Sequence, residues 1–380
     1  MNLVVKIARI LIGLVFAFSG FVKAIDPIGS SYKFTDYFKA MGIPWMEPFA
    51  LILSFLMCAA EFIAGICMII NMKPKFFLWL IVGFMAIFTP LTFWLAKNNL
   101  VQDCGCFGDF LKMDNWETFY KNVVIDVFVV FLIFFRKYLT TKINQTVQWL
   151  TVGTVVTLVF AFEIYNYNHL PIIDFRAYKE GTNISEAMKL PAGAKQDIYE
   201  SIIYYKKDGV EKGFPIDKLP DSTWVWVRTD NKLIQEGDKP KIHDFTISTL
   251  ENDQILGVPA GQDVTDQVLS DANYSFLLIA YKLGNADTSA LIEAGKIADF
   301  AKENKYNFYC LTASSKAEIE FVKTITDAKY NFFSTDETTL KTIIRSNPGL
   351  TLIRKGTVIK HWHYNDFPSI EELQKKYLYK

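Results

Sequence analysis

Two cysteines one residue apart are the sharpest chemical feature of the sequence, within Asp103-Cys104-Gly105-Cys106-Phe107-Gly108-Asp109. Closing Cys104 and Cys106 makes a small strained ring, and strain raises the reduction potential of a disulfide, so the oxidised pair would accept electrons well. Gly105 admits backbone angles that other residues avoid, and Gly108 lets the chain turn back. Asp103 and Asp109 act the other way, because nearby negative charge disfavours a thiolate. Three readings stand: a redox pair, two ligands of a metal site, or structural thiols. The metal reading needs further ligands, and His169 is the histidine near that surface.

Other ionisable groups lie in long apolar runs. Glu61 and Asp126 fall near the middle of theirs, where a carboxyl is costly enough to imply a function. If their helices face each other, they could share a proton or line a proton path; the bland reading is that each, protonated, bonds a neighbouring helix. Lys23 and Asp26 close the first run about one turn apart and are expected to pair at the membrane interface. Cys58 and Cys67, two and a half helical turns apart, face opposite sides and read as packing residues. Cys310, in Phe308-Tyr309-Cys310-Leu311, reads as a buried, inert thiol. His361 and His363 alternate on one face of a strand without a third ligand, which points to an exposed strand face rather than a metal site. No metal site is predicted.

The elements that must position these groups divide the chain in two. Residues 1–169 carry 13 Lys/Arg and 10 Asp/Glu, whereas residues 170–380 carry 27 and 30. Neither part has the basic field that nucleic acid requires, so nucleic acid is excluded as a partner. Five cysteines in 380 residues exclude a disulfide-stapled scaffold. Five runs in the first part approach the roughly 20 apolar residues that span a bilayer: Leu3 to Ile25, Met46 to Ile70, Phe76 to Leu95, Trp116 to Phe135 and Val147 to Tyr165. Trp45, Trp79, Trp94, Trp116 and Trp149 stand at run ends, as indole rings do at the headgroups. With the N-terminus inside, Lys6, Arg9, Lys73, Lys75, Arg136, Lys137 and Lys142 are cytoplasmic. Lys23, Lys33, Lys39, Lys97 and Lys112 then face outward, a modest positive-inside bias. Everything after Tyr165, and the cysteine loop, would lie outside the cytoplasm.

Residues 170–270 alternate in short segments broken by Gly, Pro and Asp, and read as β-rich, with Trp224 and Trp226 on one packed or interface face. Residues 271–380 alternate strand and helix and predict an α/β sandwich: strands at Tyr274 to Tyr281, Tyr306 to Thr312 and Tyr330 to Thr335, helices at Asp287 to Asn304, Ser315 to Thr326 and Glu337 to Arg345. A hairpin turning at Lys355-Gly356 and a closing helix from Ile370 to Tyr377 follow.

Two resemblances sharpen this reading. The stretch Ser346-Asn347-Pro348-Gly349-Leu350-Thr351-Leu352-Ile353-Arg354-Lys355-Gly356 resembles the cis-proline strand and hairpin of thioredoxin-like domains, with Pro348 as the cis-proline. The resemblance implies a Cys-x-x-Cys near Lys282 to Ser289, where the sequence has no cysteine; such a domain would bind a partner rather than exchange thiols. The cysteine heptad, with Phe18-Ser19-Gly20-Phe21-Val22-Lys23-Ala24-Ile25-Asp26-Pro27 and Glu61-Phe62-Ile63-Ala64-Gly65, resembles the DoxX/MauE group of bacterial membrane proteins, four-helix bundles linked to maturation of a disulfide-containing periplasmic enzyme and to thiol or quinone-linked oxidation. The combined expectation is a four-helix membrane bundle over residues 1–138 and a fifth helix in 139–169. A β-rich region over 170–270 and a thioredoxin-like domain without redox cysteines over 271–380 follow. The protein would sit in the bacterial inner membrane with its C-terminal region periplasmic and act on a periplasmic protein partner through Cys104 and Cys106. No cofactor is fixed by the sequence; a quinone is the one the resemblance suggests. The alternative is a non-enzymatic membrane anchor or scaffold of an envelope complex, and a third class is transport along Glu61 and Asp126.

Overall fold

The computed structural model describes residues 2–101, 105–191, 193–195, 198–235, 237–253 and 256–378. Six helices come first: α1 (Asn2–Ile25), α2 (Pro27–Ala40), α3 (Ala50–Ile69), α4 (Pro74–Asn98), α5 (Asn115–Phe134) and α6 (Gln145–Asn168). Four stretches, Leu3–Ile25, Pro44–Ile69, Pro74–Asn98 and Gln145–Asn168, are long and apolar enough to cross a membrane. The fourth predicted run is also a helix, α5, but its 20 residues include the charged Glu117, Lys121 and Asp126, and it is not among these four. It packs along α4, to which the cysteine loop joins it.

Contacts sort the connections into two ends of the bundle. At one end Arg9 donates to the carbonyl oxygens of Met68 and Ile69, Asn71 to Thr140 O at 2.9 Å, and the Lys73 amide to Gln148 Oε1 at 3.0 Å. At the other end the close of α1 meets the cysteine loop and the close of α6, where Asn166 Nδ2 lies 3.4 Å from Ala24 O. Small residues set the tightest helix pair. A Cβ on Gly65 would come within 2.1 Å of the Ala17 nitrogen and one on Gly20 within 2.3 Å of the Phe62 nitrogen, so α1 and α3 touch backbone to backbone.

One helix was not foreseen. At α2, Asp26 caps the N-terminus by accepting from the Gly29 amide at 2.8 Å, and Pro27 occupies the first turn, where its missing N–H costs nothing. Its mean hydropathy is low because Ser30, Ser31, Lys33, Thr35, Asp36 and Lys39 interrupt the apolar residues, which hid it among the longer runs.

The remainder is an α/β region. A short helix α7 (Ile184–Ala187) precedes a three-stranded antiparallel sheet of β1 (Ile198–Lys207), β2 (Val210–Pro215) and β3 (Val225–Gln235), in the order β2-β1-β3. There follow β4 (Ser248–Thr249), α8 (Thr265–Ser270), β5 (Tyr274–Ile279), α9 (Thr288–Glu303), β6 (Asn307–Thr312), α10 (Lys316–Thr326), β7 (Asn331–Ser334), α11 (Glu337–Ile343), β8 (Gly349–Arg354) and β9 (Thr357–His363). The second sheet has the order β4-β7-β6-β5-β8-β9; β5, β6 and β7 are parallel, and β8 and β9 turn back antiparallel through Lys355 and Gly356, both at positive φ. Cys310 lies buried in this sheet's core, where burial pushes its thiol up and leaves it inert.

Two sequence expectations change here. Tyr178, Ile184, Phe245, Ile247 and Val268 join the core beneath the second sheet, so a boundary at residue 270 cuts through one continuous core. His361 and His363 do not face solvent; both are buried. The segment around Tyr178 to Asn183 covers β9, with the Gly181 amide donating to Val358 O. His361 sits between the Thr351 hydroxyl and the Tyr178 carbonyl at 2.8 Å each. Burial pushes both imidazoles down to about 4.

Candidate functional site

The cysteine loop is folded onto the end of the bundle. Gly105 and Gly108 both take positive φ, and the Gly108 amide closes a turn on Gly105 O at 3.0 Å, which is why glycine is needed at both places. The Phe107 and Phe110 rings pack against Phe18 of α1 at 5.7 and 5.3 Å. Cys106 is half-buried in this turn. Cys104 and Asp103 lie outside the described residues.

Beneath Cys106 is a buried ion pair. Lys23 Nζ stands 2.8 and 2.7 Å from the two carboxylate oxygens of Glu61, with the side chains 8% and 1% exposed. The Ser19 hydroxyl lies 2.9 Å from Glu61 Oε2 and 2.9 Å from the Cys106 carbonyl, so its one proton serves two acceptors and ties the pair to the loop. Cys106 is within electrostatic reach of the Lys23 ammonium. Ser19, Lys23 and Glu61 are therefore positioned by the close glycine-mediated contact of α1 with α3.

A second buried cation closes the site from the other side. Arg345, just after α11, donates from Nε to Asp26 Oδ2 at 2.8 Å and from Nη2 to Asp109 Oδ2 at 3.1 Å, with its side chain 6% exposed. Its guanidinium also lies over the Tyr32 ring of α2 at 5.4 Å. The charge of Asp109, expected to oppose a thiolate, is thus offset by an arginine from the α/β region. Two residues on, the Asn347–Pro348 peptide is cis. The Asp287 amide donates to Asn347 O at 3.1 Å and Asn347 Nδ2 to Lys282 O at 2.8 Å, which sets this loop against residues 282–287. Between the bundle end and the α/β region runs a cleft of about 1420 Å³, with Lys33, Gly105, Asp109, Arg176, Lys282 and Arg345 among its walls. His169, at the close of α6, is held by Asp366, with Nδ1 2.8 Å from both carboxylate oxygens.

The arrangement corrects two expected pairings. Lys23 pairs with Glu61 rather than Asp26, because a helix end places Lys23 inward and frees Asp26 to cap α2 and bind Arg345. Glu61 and Asp126 do not share a proton: Asp126 accepts from the Thr89 hydroxyl of α4 at 2.8 Å, while Glu61 is taken by α1. Cys58 and Cys67 are buried in the bundle core. Arg345 and Glu163 were missed. Glu163 had a visible signal, an acid inside an apolar run, whereas Arg345 is one basic residue among many until the fold brings it to the loop.

Comparison with known proteins agrees with the architecture. Residues 1–136 match the family model described as methylamine utilisation protein MauE, and residues 199–236 match a domain of unknown function, DUF8463. No curated protein matches the chain. With its apolar helices, the chain is a membrane protein. More particularly, it joins a MauE-like helical bundle to a C-terminal α/β region that contains the second matched segment.

Proposed function

We propose that the protein is a membrane thiol–disulfide redox protein in which Cys104 and Cys106 cycle between dithiol and disulfide. The observation that carries the reading is the setting of Cys106: a glycine-shaped turn fixed by Ser19 above a buried Lys23–Glu61 pair. A nearby ammonium favours the thiolate, the nucleophilic form in thiol–disulfide exchange. Oxidation of the pair to a disulfide releases two electrons and two protons, and an acceptor of the quinone class or a partner disulfide takes them. The match of residues 1–136 to methylamine utilisation protein MauE supports this reading, as does the resemblance of the α1 and α3 segments to DoxX-type proteins.

The α/β region acts as the docking module. Its strand order β6-β5-β8-β9, with β8 antiparallel to β5 and β9 antiparallel to β8, supports a thioredoxin-like reading. The residues where such a domain carries its cysteines, 282–289, contain none and flank the cleft instead. The substrate in this reading is a periplasmic protein held in the cleft beside the cysteine loop, the bundle lying in the bacterial inner membrane. The test is to replace Cys104 or Cys106 by Ser and read the thiol state of periplasmic proteins: accumulation of reduced or mispaired partners supports the reading, and an unchanged thiol state in both variants refutes it. The alternative, an anchor or scaffold, is favoured by the absence of cysteine at 282–289; it predicts that deleting the α/β region has an effect while the cysteine variants have none.

A further inference from the structure

The three-stranded sheet, residues 198–235, stands apart from the cores. No described residue in it is buried, and none joins an apolar cluster of the bundle or of the second sheet. The chain enters and leaves through one neck, where the Asp238 amide donates to Lys195 O and the Lys195 amide to Asp238 Oδ2, both at 2.9 Å. This neck opens beside the bundle: Lys241 and His243, which follow it, line the cleft together with Gly105 and Asp109 of the cysteine loop. With 11 residues, β3 reaches about 35 Å from the neck.

The two faces of the sheet differ. Register sets Ile203 opposite Phe214 and Thr229, and Tyr205 opposite Lys212 and Trp226. Opposed residues share a face, so one face gathers Tyr199, Ile203, Tyr205, Phe214, Trp224 and Trp226. Their rings touch, Tyr205 with Phe214 at 6.1 Å and Phe214 with Trp224 at 5.2 Å, yet Trp226 stays 59% exposed. The charged strand residues on this face are Lys207 and Lys212, without an acid. Lys212 Nζ lies 5.5 Å from the centre of the Phe214 ring. Lys207 Nζ donates to Thr223 Oγ1 at 2.8 Å, beside Asp221 in the loop before β3. The opposite face holds the ion pairs: Arg228 lies over the Tyr204 ring and bonds Glu211 and Asp230, and Glu200 stands opposite Lys232.

We propose that the aromatic face of this sheet lies on the membrane surface beside the bundle, with its rings at headgroup level and its lysines on lipid phosphate. Trp and Tyr rings, apolar in body and polar at one end, collect at that level. A lysine stem laid along apolar surface ends in its charge there. The bilayer is within reach, because the same chain carries the long apolar helices and the neck stands at the end of their bundle. Charge selects lipid over a second copy of the sheet: the face offers lysines and no strand acid to meet them, whereas a phospholipid surface offers phosphate. The ion pairs of the opposite face suit it to water. The inference does not rest on the thiol reading and survives its failure.

Photo-cross-linking tests it on the full chain in bilayers of phosphatidylcholine, with and without phosphatidylglycerol. The photoreactive p-benzoyl-phenylalanine replaces Tyr199 or Trp226 on the aromatic face, or Lys206 or Lys232 on the other, and adducts are located by mass spectrometry. Lipid adducts are expected from positions 199 and 226 and not from 206 and 232. Their yield should rise with phosphatidylglycerol and fall in Lys212→Glu. A cross-link to a second copy in these bilayers, or to another protein in cell membranes, in place of the lipid adduct overturns the proposal. So does the absence of lipid adducts at both 199 and 226, equal lipid labelling from the two faces, or a yield that ignores both lipid charge and Lys212→Glu.

Discussion

At the scale of residues, the proposed reactivity of Cys106 is expected to depend on Lys23, which the fold and not the sequence brings to the cysteine loop. Lys23→Met removes the ammonium beside the loop and leaves Glu61 buried without its partner. We expect alkylation of Cys106 at neutral pH to slow by roughly tenfold, the effect of one unit in a thiol's ionisation, with the pH profile displaced upward. An unchanged profile would show that Lys23 does not act on the thiol. Residue types were the legible part of this site: the cysteine pair, its glycines, Glu61 and Lys23 are all visible as unusual residues in their surroundings. Their pairing was not. Lys23 and Asp26 are neighbours along a helix, but Asp26 is the last position before a new helix starts, so its carboxylate turns to the cap and away from Lys23.

At the scale of elements, two features carry the site. The first is the α1–α3 contact. Gly65→Leu places a side chain where the Ala17 backbone already stands, and no rotamer relieves a clash with main chain. The expected outcome is loss of the folded bundle, read as aggregation or degradation on extraction, whereas the same change at Gly83, which meets nothing within 4 Å, should be tolerated. The second is β9, whose buried histidines link stability to acidity. His361 and His363 bind protons in the folded state only near pH 4, whereas in the unfolded chain they do so near 6.5. The unfolded state therefore binds more protons between those values, and stability of the α/β region is present above about pH 6.5 and is lost as pH falls towards about 4. Denaturant midpoints measured across that range check the sign; His361→Gln should flatten the dependence. The helices and strands after Tyr274 were readable because each is short, amphipathic or apolar, and bounded by turn residues. The burial of β9 was not, because the segment that covers it precedes it by about 180 residues, as in the contact of Tyr178 with His361 (|i−j| = 183).

At the scale of the whole molecule, Arg345 joins the α/β region to both the close of α1 and the cysteine loop. Removing one partner of a buried ion pair costs about 3–5 kcal/mol, so Arg345→Ala should release the α/β region and make the loop around Asp109 susceptible to protease. Replacing Asp26 and Asp109 by Asn in the same chain should restore part of the loss, since the uncompensated carboxylates are then gone. If Arg345→Ala leaves the proteolysis pattern unchanged, the arginine does not hold the two parts together. No sequence pattern announces this tie, because its members stand at positions 26, 109 and 345 and meet only when the bundle end and the α/β region are both formed.

The most direct test of thiol cycling is the state of Cys104 and Cys106 in intact cells, read by mass-tag alkylation with a cysteine-less chain as control. Thiol cycling should give a mixture of dithiol and disulfide that shifts when respiration is inhibited. A single fixed state under every condition would contradict it and leave the bundle as an anchor for the α/β region.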